Sequence, residues 1–195
     1  MRYFLDFDRT VFDTDAFKRS MSKRPTLLEL LRQFDAAAVE FLRHDPNHTR
    51  RRKFLRTWGT FLSHGRFTFT PDELRHFLYS DVEPFLHSHT CTIVTYGVRA
   101  FITAKVTAAL SGLPVTDVVY TSRKKGRTIA RLCAAEEGPC TFVDDMHFQL
   151  ESVSAWCPNV HVIEIRRNKD AGDGRWPVIH SLDELDQQTR YNNSH

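Results

Sequence analysis

Short apolar runs alternate with amphipathic stretches along the second half of the chain. Four runs rich in β-branched residues have the length of buried strands, and they cover residues 91–96, 117–121, 140–144 and 160–165. Helical patterns lie between the first three runs, and a shorter one follows the third. Strands that alternate with helices predict a parallel, doubly wound α/β sheet. The apolar start of residues 3–8 predicts a further strand of this sheet.

A helical segment separates this first strand from the other four. Apolar residues recur at spacings of three and four over residues 27–41, and a second apolar stripe covers residues 54–62 and ends at Gly65. A third helix is predicted after Thr70, because a capping Thr, a first-turn proline and Glu73 form a capping-box sequence. The pattern therefore predicts one strand, a helical insert and then repeated strand and helix units.

The length and composition fit one ordered α/β domain with a modest insert. The chain has 195 residues, of which 41% are hydrophobic and 26% charged, close to the average of soluble globular proteins. No apolar run has the length of a membrane span and the start lacks a signal-peptide pattern, so we expect a cytoplasmic protein without membrane contacts. The four cysteines lack zinc or Cys-x-x-Cys spacing, which argues against a zinc site.

A basic run lies inside the helical insert at residues 50–56, although the formal net charge is only +3. Such a run is usually a solvated helix face, but it can also attract an anionic substrate or nucleic acid. Phe54 and Trp58 have the spacing of core residues. Nucleic-acid binding beside a vestigial acidic site therefore stays the weaker alternative, and its test is the salt dependence of binding.

Polar residues stand at or just after the ends of the predicted strands, where ligands bind in open parallel sheets. The residues that the pattern brings to this edge are Asp6, Asp8, Thr95, Lys124, Lys125, Asp144 and Asp145. Several carboxylates in one place repel one another unless a cation lies between them. Oxygen ligands without histidine or cysteine suit Mg²⁺, which also accepts substrate phosphate.

These residue types together predict phosphoryl transfer. One Asp can attack phosphorus and a second can handle protons. Thr and Lys can contact the phosphoryl oxygens, on which negative charge shifts during the reaction.

The order of these residues resembles the four motifs of the haloacid dehalogenase (HAD) superfamily. The first motif is Asp6-x-Asp8-x-Thr10 after an apolar strand, and the second ends at Thr95. The third is a lysine before a helix, and the last is the double Asp at residues 144–145. The resemblance implies a Rossmann-like HAD core, Mg²⁺ as the cofactor and an aspartyl-phosphate intermediate.

The resemblance also implies a role for each motif residue. Asp6 is the nucleophile and a metal ligand. Asp8 protonates the leaving group, then activates water, and offers its backbone carbonyl to the metal. Thr95 hydrogen-bonds a phosphoryl oxygen, and Lys125 neutralises the nucleophile and the phosphate.

The lysine of the third motif has competitors in the sequence. The resemblance favours Lys125, but Lys124 is adjacent and Lys105 is a more remote alternative. In the last motif, the resemblance implies that Asp145 faces the metal and that Asp144 supports it.

Four further residues complete the predicted site. Tyr96 and Gly97 follow the threonine of the second motif and are predicted to bind phosphate, and Thr10 supports the first motif. Arg9 stands where the family commonly has Gly, beside the turn that carries the nucleophile. We therefore expect Arg9 to contact the substrate or the cap.

The helical insert matches the position of the family's cap, which closes over the site and selects the substrate. We predict a cap at residues 14–88 and a core formed by residues 1–13 and 89–195. The predicted function is Mg²⁺-dependent hydrolysis of a small phosphorylated metabolite. A phosphotransferase or phosphomutase shares all four motifs and stays an alternative. A dehalogenase needs neither magnesium nor an acid–base group at Asp8.

Overall fold

A six-stranded, all-parallel sheet forms the centre of the molecule, which confirms the predicted doubly wound α/β fold. The structure is a computed structural model and describes residues 1–21, 68–97, 99–168 and 171–185. The strands are β1 (Arg2–Leu5), β2 (Thr90–Tyr96), β3 (Asp117–Thr121), β4 (Cys140–Asp144), β5 (His161–Ile165) and β6 (Val178–Ile179). Their spatial order is β3-β2-β1-β4-β5-β6. The sequence prediction lacks β6, because two residues are too few to show a period.

The first strand lies in the middle of the sheet, between β2 and β4. Leu5 pairs with Ile93 on one side and with Val143 on the other. Asp6 continues this pairing, since its backbone N–H donates to the carbonyl oxygen of Val143 at 2.9 Å. The register therefore brings the carboxyl ends of three neighbouring strands to one edge of the sheet.

The inner strands β1, β2, β4 and β5 are buried on both faces, as parallel strands usually are, whereas the edge strand β3 is partly exposed. Successive side chains of β1 alternate between two apolar clusters, because strand side chains point to opposite faces. Tyr3 and Leu5 belong to one cluster, whereas Phe4 packs with Phe142 and Ile129 in the other. These apolar contacts fix β1 in the sheet and so determine where the acidic residues after it lie.

Helices cover the sheet in the pattern that the sequence predicts. They are α1 (Thr14–Met21), α2 (Pro71–Leu74), a 3₁₀ turn (Arg75–Phe77), α3 (Val82–Ser88), α4 (Arg99–Ala109), α5 (Gly126–Cys133) and α6 (His147–Trp156). The predicted capping box at the start of α2 is confirmed. The Thr70 N–H donates to Glu73 Oε2 at 2.9 Å, and the Glu73 N–H donates to Thr70 Oγ1 at 3.3 Å.

Much of the predicted cap lies outside the described residues. These parts are the helices predicted at residues 27–41 and 54–62 and the basic run at 50–56, so the division into core and cap stays a prediction. The described end of the insert packs with the sheet, since Val82 and Phe85 share an apolar cluster with Tyr3. Within the described ranges, every helix is too short or too polar to cross a membrane.

Candidate active site

A tight turn after β1 positions the first pair of acids. The carbonyl oxygen of Phe7 accepts hydrogen bonds from the N–H groups of Val11 and Phe12, at 3.0 and 2.9 Å. Arg9 lies in this turn with φ 59°, in the left-handed region. A side chain there costs about 1–2 kcal/mol, which explains why glycine would be the easier choice. The turn separates Asp6, which is only 5% exposed, from the half-buried Asp8.

Lys125 lies beneath Asp6 as a buried cation. Its Nζ contacts Asp6 Oδ1 and lies 2.6 Å from Asp144 Oδ2, and the residue is 1% exposed. Its backbone N–H donates to Gln149 Oε1 at 2.8 Å, which anchors the start of α5 against α6. The neighbouring Lys124 is exposed.

The glycine after Lys125 permits this placement. A Cβ at Gly126 would clash with the backbone oxygen of Ser152 and lie 2.7 Å from a ring carbon of Trp156. Because residue 126 has no side chain, α5 approaches α6 closely and Lys125 reaches the edge of the sheet.

The two acids at the end of β4 have different surroundings. Asp144 is fully buried, contacts Lys125 and accepts a hydrogen bond from the Met146 N–H at 2.8 Å. Asp145 is partly exposed. Asp6, Asp144 and Asp145 each offer a carboxylate oxygen, and these atoms lie within 4.8 Å of one another. Three carboxylates therefore converge here, and two of them, Asp6 and Asp144, contact the ammonium group of Lys125.

This excess of negative charge is visible in the pKa values. Burial, which the attraction of Lys125 offsets only in part, raises the pKa of Asp6 to about 7, and the charge of Asp144 adds to the rise. Burial and then the charge of Asp6 raise the pKa of Asp145 to about 7. Burial opposes the charged form of Lys125, but Asp144 and Asp6 outweigh it and raise its pKa. A cation at the three carboxylates would favour their ionised forms.

A magnesium ion fits this donor set. The donors are carboxylate oxygens alone, and Mg²⁺ binds through one or two carboxylates together with water and substrate phosphate. Asp6 and Asp145 are the candidate ligands, while Asp144 is already engaged with Lys125 and the Met146 N–H.

Asp8 pairs with a lysine other than Lys125. Its Oδ1 accepts hydrogen bonds from Thr14 Oγ1 and from Nζ of Lys105, a residue that is 2% exposed. The sequence prediction treats Lys105 only as a remote competitor for the third motif. The structure separates the two lysines, with Lys125 at Asp6 and Lys105 at Asp8.

Two buried threonines near the acidic turn have hydroxyls without a partner among the described residues. Thr95 ends in a buried Oγ1 of this kind, and so does Thr10. A buried polar group without a partner is unusual, and one explanation is a ligand that binds there. For Thr95, at the carboxyl end of the sheet, a phosphoryl oxygen is such a ligand.

The two residues after Thr95 lie at the rim of the site. Tyr96 is 42% exposed, with its ring 6.0 Å from that of Phe148. Gly97 has φ 150°, and its N–H donates to the carbonyl oxygen of Thr121 at 3.1 Å. Tyr96 is therefore exposed at this end of β2, whereas the backbone N–H of Gly97 is already engaged.

A cavity of about 430 Å³ opens beside Asp145. Its lining combines acids and three arginines, namely Arg9, Asp13, Asp15, Tyr79, Asp145, Ile165, Arg166, Arg167 and Asn168. The guanidinium of Arg9 donates two hydrogen bonds of 3.0 Å to Asp15. Arg9 thus lines the cavity with its guanidinium paired to Asp15.

A second acidic cluster lies on the α6 side of the sheet. His147 Nε2 is 2.6 Å from Glu164 Oε1, and Asp173 Oδ2 is 3.4 Å from His147 Nδ1. Arg166 contacts Glu164, and Arg175 donates to Asp173 at 2.6 Å. His147 therefore bridges the two acids, and each acid also pairs with an arginine.

Comparison with known proteins identifies the fold. No protein-family model and no curated protein matches the sequence. Among solved structures, a HAD-like family hydrolase from Xanthomonas campestris is 12% identical, with a TM-score of 0.59 over 100% of this chain and 96% of that one. YfnB from Bacillus subtilis, solved bound to magnesium, is also 12% identical, with a TM-score of 0.59 over 96% of this chain and 97% of that one.

An L-2-haloacid dehalogenase from Xanthobacter autotrophicus is 15% identical, with a TM-score of 0.56 over 97% of this chain and 98% of that one. The chain therefore has the fold of the HAD-like hydrolases. At these identities the likeness concerns the fold, and the chemistry has to be argued from the site.

Proposed function

We propose that this protein is a Mg²⁺-dependent phosphohydrolase that acts on a small phosphorylated metabolite through an aspartyl-phosphate. The observation that carries this proposal is the convergence of Asp6, Asp144 and Asp145, whose carboxylate oxygens lie within 4.8 Å of one another, with the buried Lys125 in contact with Asp6 and Asp144. Such an arrangement gathers a nucleophile, a cation-binding group and a fixed positive charge at one point.

The first chemical step follows from this arrangement. A carboxylate oxygen of Asp6 forms a bond to phosphorus while the bond from phosphorus to the leaving oxygen breaks. Asp8 donates a proton to that oxygen, so that an alcohol departs. Bound Mg²⁺ would neutralise the phosphoryl oxygens. Lys125 stabilises the charge that moves between Asp6 and the phosphate, and Thr95 donates its unpartnered hydroxyl to a phosphoryl oxygen.

The second step releases phosphate. The Asp8 carboxylate takes a proton from water, and the water oxygen attacks phosphorus as the bond to Asp6 breaks. The proton balance closes, because Asp8 loses one proton in the first step and regains one in the second.

Hydrolysis of a carbon–halogen bond is less well supported. A halide departs without a proton, so a dehalogenase has no use for a proton donor at Asp8. It also has no use for a cation between Asp6 and Asp145, because its substrate lacks phosphoryl oxygens. The paired acids and the excess negative charge therefore favour a phosphate ester.

Arg9 indicates the kind of leaving group. It adopts a strained backbone conformation and lines the cavity beside Asp145. A guanidinium in that position favours a substrate with a second anionic group or several hydroxyls, such as a nucleotide or a sugar phosphate. Activity on a panel of phosphorylated metabolites, measured with wild type and Arg9→Gln, would identify the leaving group. Arg9→Gln should raise the KM for substrates whose leaving group is anionic.

The direct test is phosphate release from a generic aryl phosphate. Wild type should release phosphate with Mg²⁺ and not with EDTA, and Asp6→Asn should abolish turnover. Asp173→Asn is the matched control, because it removes an acid from the second cluster and should leave turnover unchanged. Wild-type activity in Asp6→Asn, or full activity in EDTA, would contradict the proposal.

A further inference from the structure

Lys105 is a buried lysine in an aromatic environment. It lies on α4 and is 2% exposed. Its Nζ is 5.0 and 5.1 Å from the ring centroids of Phe12 and Phe7, and 5.7 and 5.8 Å from those of Phe101 and Phe17. Rings attract an ammonium group, yet they do not replace its lost hydration without a charged partner.

That partner is the carboxylate of Asp8. In the described part of the chain, Asp8 is the acid within ion-pair distance of Lys105. The two residues are 97 positions apart in the sequence, so the contact exists only because α4 packs beside the turn after β1. Thr14 Oγ1 donates to the same oxygen, Oδ1. Two donors therefore fix the rotamer of Asp8.

The two partners differ in their access to a substrate. The side chain of Lys105 is 3% exposed, whereas that of Asp8 is 31% exposed. The ammonium group is enclosed by the Phe rings and cannot reach a ligand above the sheet. Any influence of Lys105 on the reaction has to pass through Asp8.

We propose that Lys105 is a positioning residue, which holds the carboxylate of Asp8 in the orientation needed for proton transfer. The idea rests on the proposed function of Asp8. A proton donor has to lie within hydrogen-bond reach of the leaving oxygen. Lys105 and Thr14 hold Oδ1, which leaves the second oxygen of this partly exposed side chain for the leaving group.

The central experiment compares Lys105→Met with wild type, because methionine keeps a long apolar stem and removes the charge. We expect kcat for an aryl phosphate to fall by about 10- to 100-fold, which is part of the roughly 100- to 10,000-fold contribution of general acid–base catalysis. The KM should stay within about twofold, since Lys105 does not touch the substrate. Lys18→Met, which removes an exposed lysine of α1, is the control and should match wild type.

A double-variant cycle distinguishes positioning from a purely structural role. In an Asp8→Asn background, Lys105→Met should lower the residual kcat by less than about twofold, because the residue acts through Asp8. An equal loss in both backgrounds would overturn the proposal, and so would an unchanged kcat in the single variant. Lys105→Gln serves as the second variant if Lys105→Met does not fold. It should likewise lower kcat and leave KM within about twofold of the wild-type value.

Thermal unfolding separates this inference from the proposed function. If wild type hydrolyses no phosphate ester, the proposed function fails, but the contact can still be tested. The melting temperatures of Lys105→Met, Asp8→Asn and the double variant should be non-additive if the two side chains interact. Additive melting temperatures would refute the contact itself.

Discussion

Two acidic clusters lie at neighbouring parts of the same sheet, and they are neutralised differently. In the second cluster, Arg166 and Arg175 pair with Glu164 and Asp173, so acids and arginines alternate. In the candidate active site, three carboxylates converge and Lys125 is the contacting ammonium group. Acids therefore form ion pairs with arginines in one cluster, whereas in the other they converge as a candidate cation site.

The comparison indicates that unpaired negative charge, rather than the number of acids, marks a candidate metal site. A carboxylate that already pairs with an arginine gains less from a bound cation. Buried carboxylates that outnumber their contacting lysine lack full compensation, and burial together with their mutual repulsion raises the pKa values of Asp6 and Asp145. Four experiments can break or sharpen this distinction.

The largest effect is expected from Lys125→Met without metal. This change leaves Asp6 and Asp144 buried without their cation, which typically costs about 3–5 kcal/mol. Denaturant unfolding should therefore show a much lower free energy of unfolding. Mg²⁺ should recover part of it by supplying positive charge. A loss under about 1 kcal/mol would mean that Lys125 does not balance this cluster.

The next effect is stabilisation by Mg²⁺. A ligand at one hundred times its Kd stabilises the folded state by about 2.7 kcal/mol, which corresponds to a rise in Tm of roughly 5–10 °C for a protein of this size. Asp145→Asn should lose most of this rise in thermal unfolding, whereas Asp173→Asn should keep it. Equal losses in the two variants would place the cation elsewhere.

A smaller effect concerns pH in the absence of metal. Burial raises the pKa of Asp145 from 3.8 to about 7, so the folded state binds more protons than the unfolded state between these values. Stability then falls as the pH rises through this window. Asp145→Asn should gain stability relative to wild type from pH 5 to pH 8, by about 1–3 kcal/mol. A constant difference in urea unfolding would show that Asp145 titrates normally.

The smallest effect is expected in the second cluster. Arg175→Gln removes an exposed guanidinium, and exposed ion pairs contribute little. The Tm should change by less than about 2 °C. The Mg²⁺ concentration for half-maximal stabilisation should stay at the wild-type value, and a shift of that concentration would connect the two clusters.

Much of the fold could be predicted from the chain because its signals are local. The runs that became β3 and β4 show β-branched and apolar residues at strand length, and their predicted bounds agree with the structure. The capping box at Thr70 is likewise a pattern within four residues. β6 escaped prediction, since Val178 and Ile179 form a strand only by pairing with β5.

The candidate site, like the fold, could be predicted where its signals are local. Acids after β1 and β4 can be located from the strand pattern, because parallel strands bring their carboxyl ends to one edge. The position of Lys105 carries only a faint signal, a single charge inside an apolar helix. Its partner cannot be inferred from its neighbours in the sequence.

By itself, then, the sequence determined the parallel sheet and the set of acids at its edge, because periodicity and strand ends depend on nearby residues. The tertiary structure alone decided which lysine meets which carboxylate and which acidic cluster is already neutralised by arginine. Such contacts join residues far apart in the chain, as Lys105 joins Asp8. They depend on how helices pack on the sheet, and that packing sets burial, charge balance and pKa.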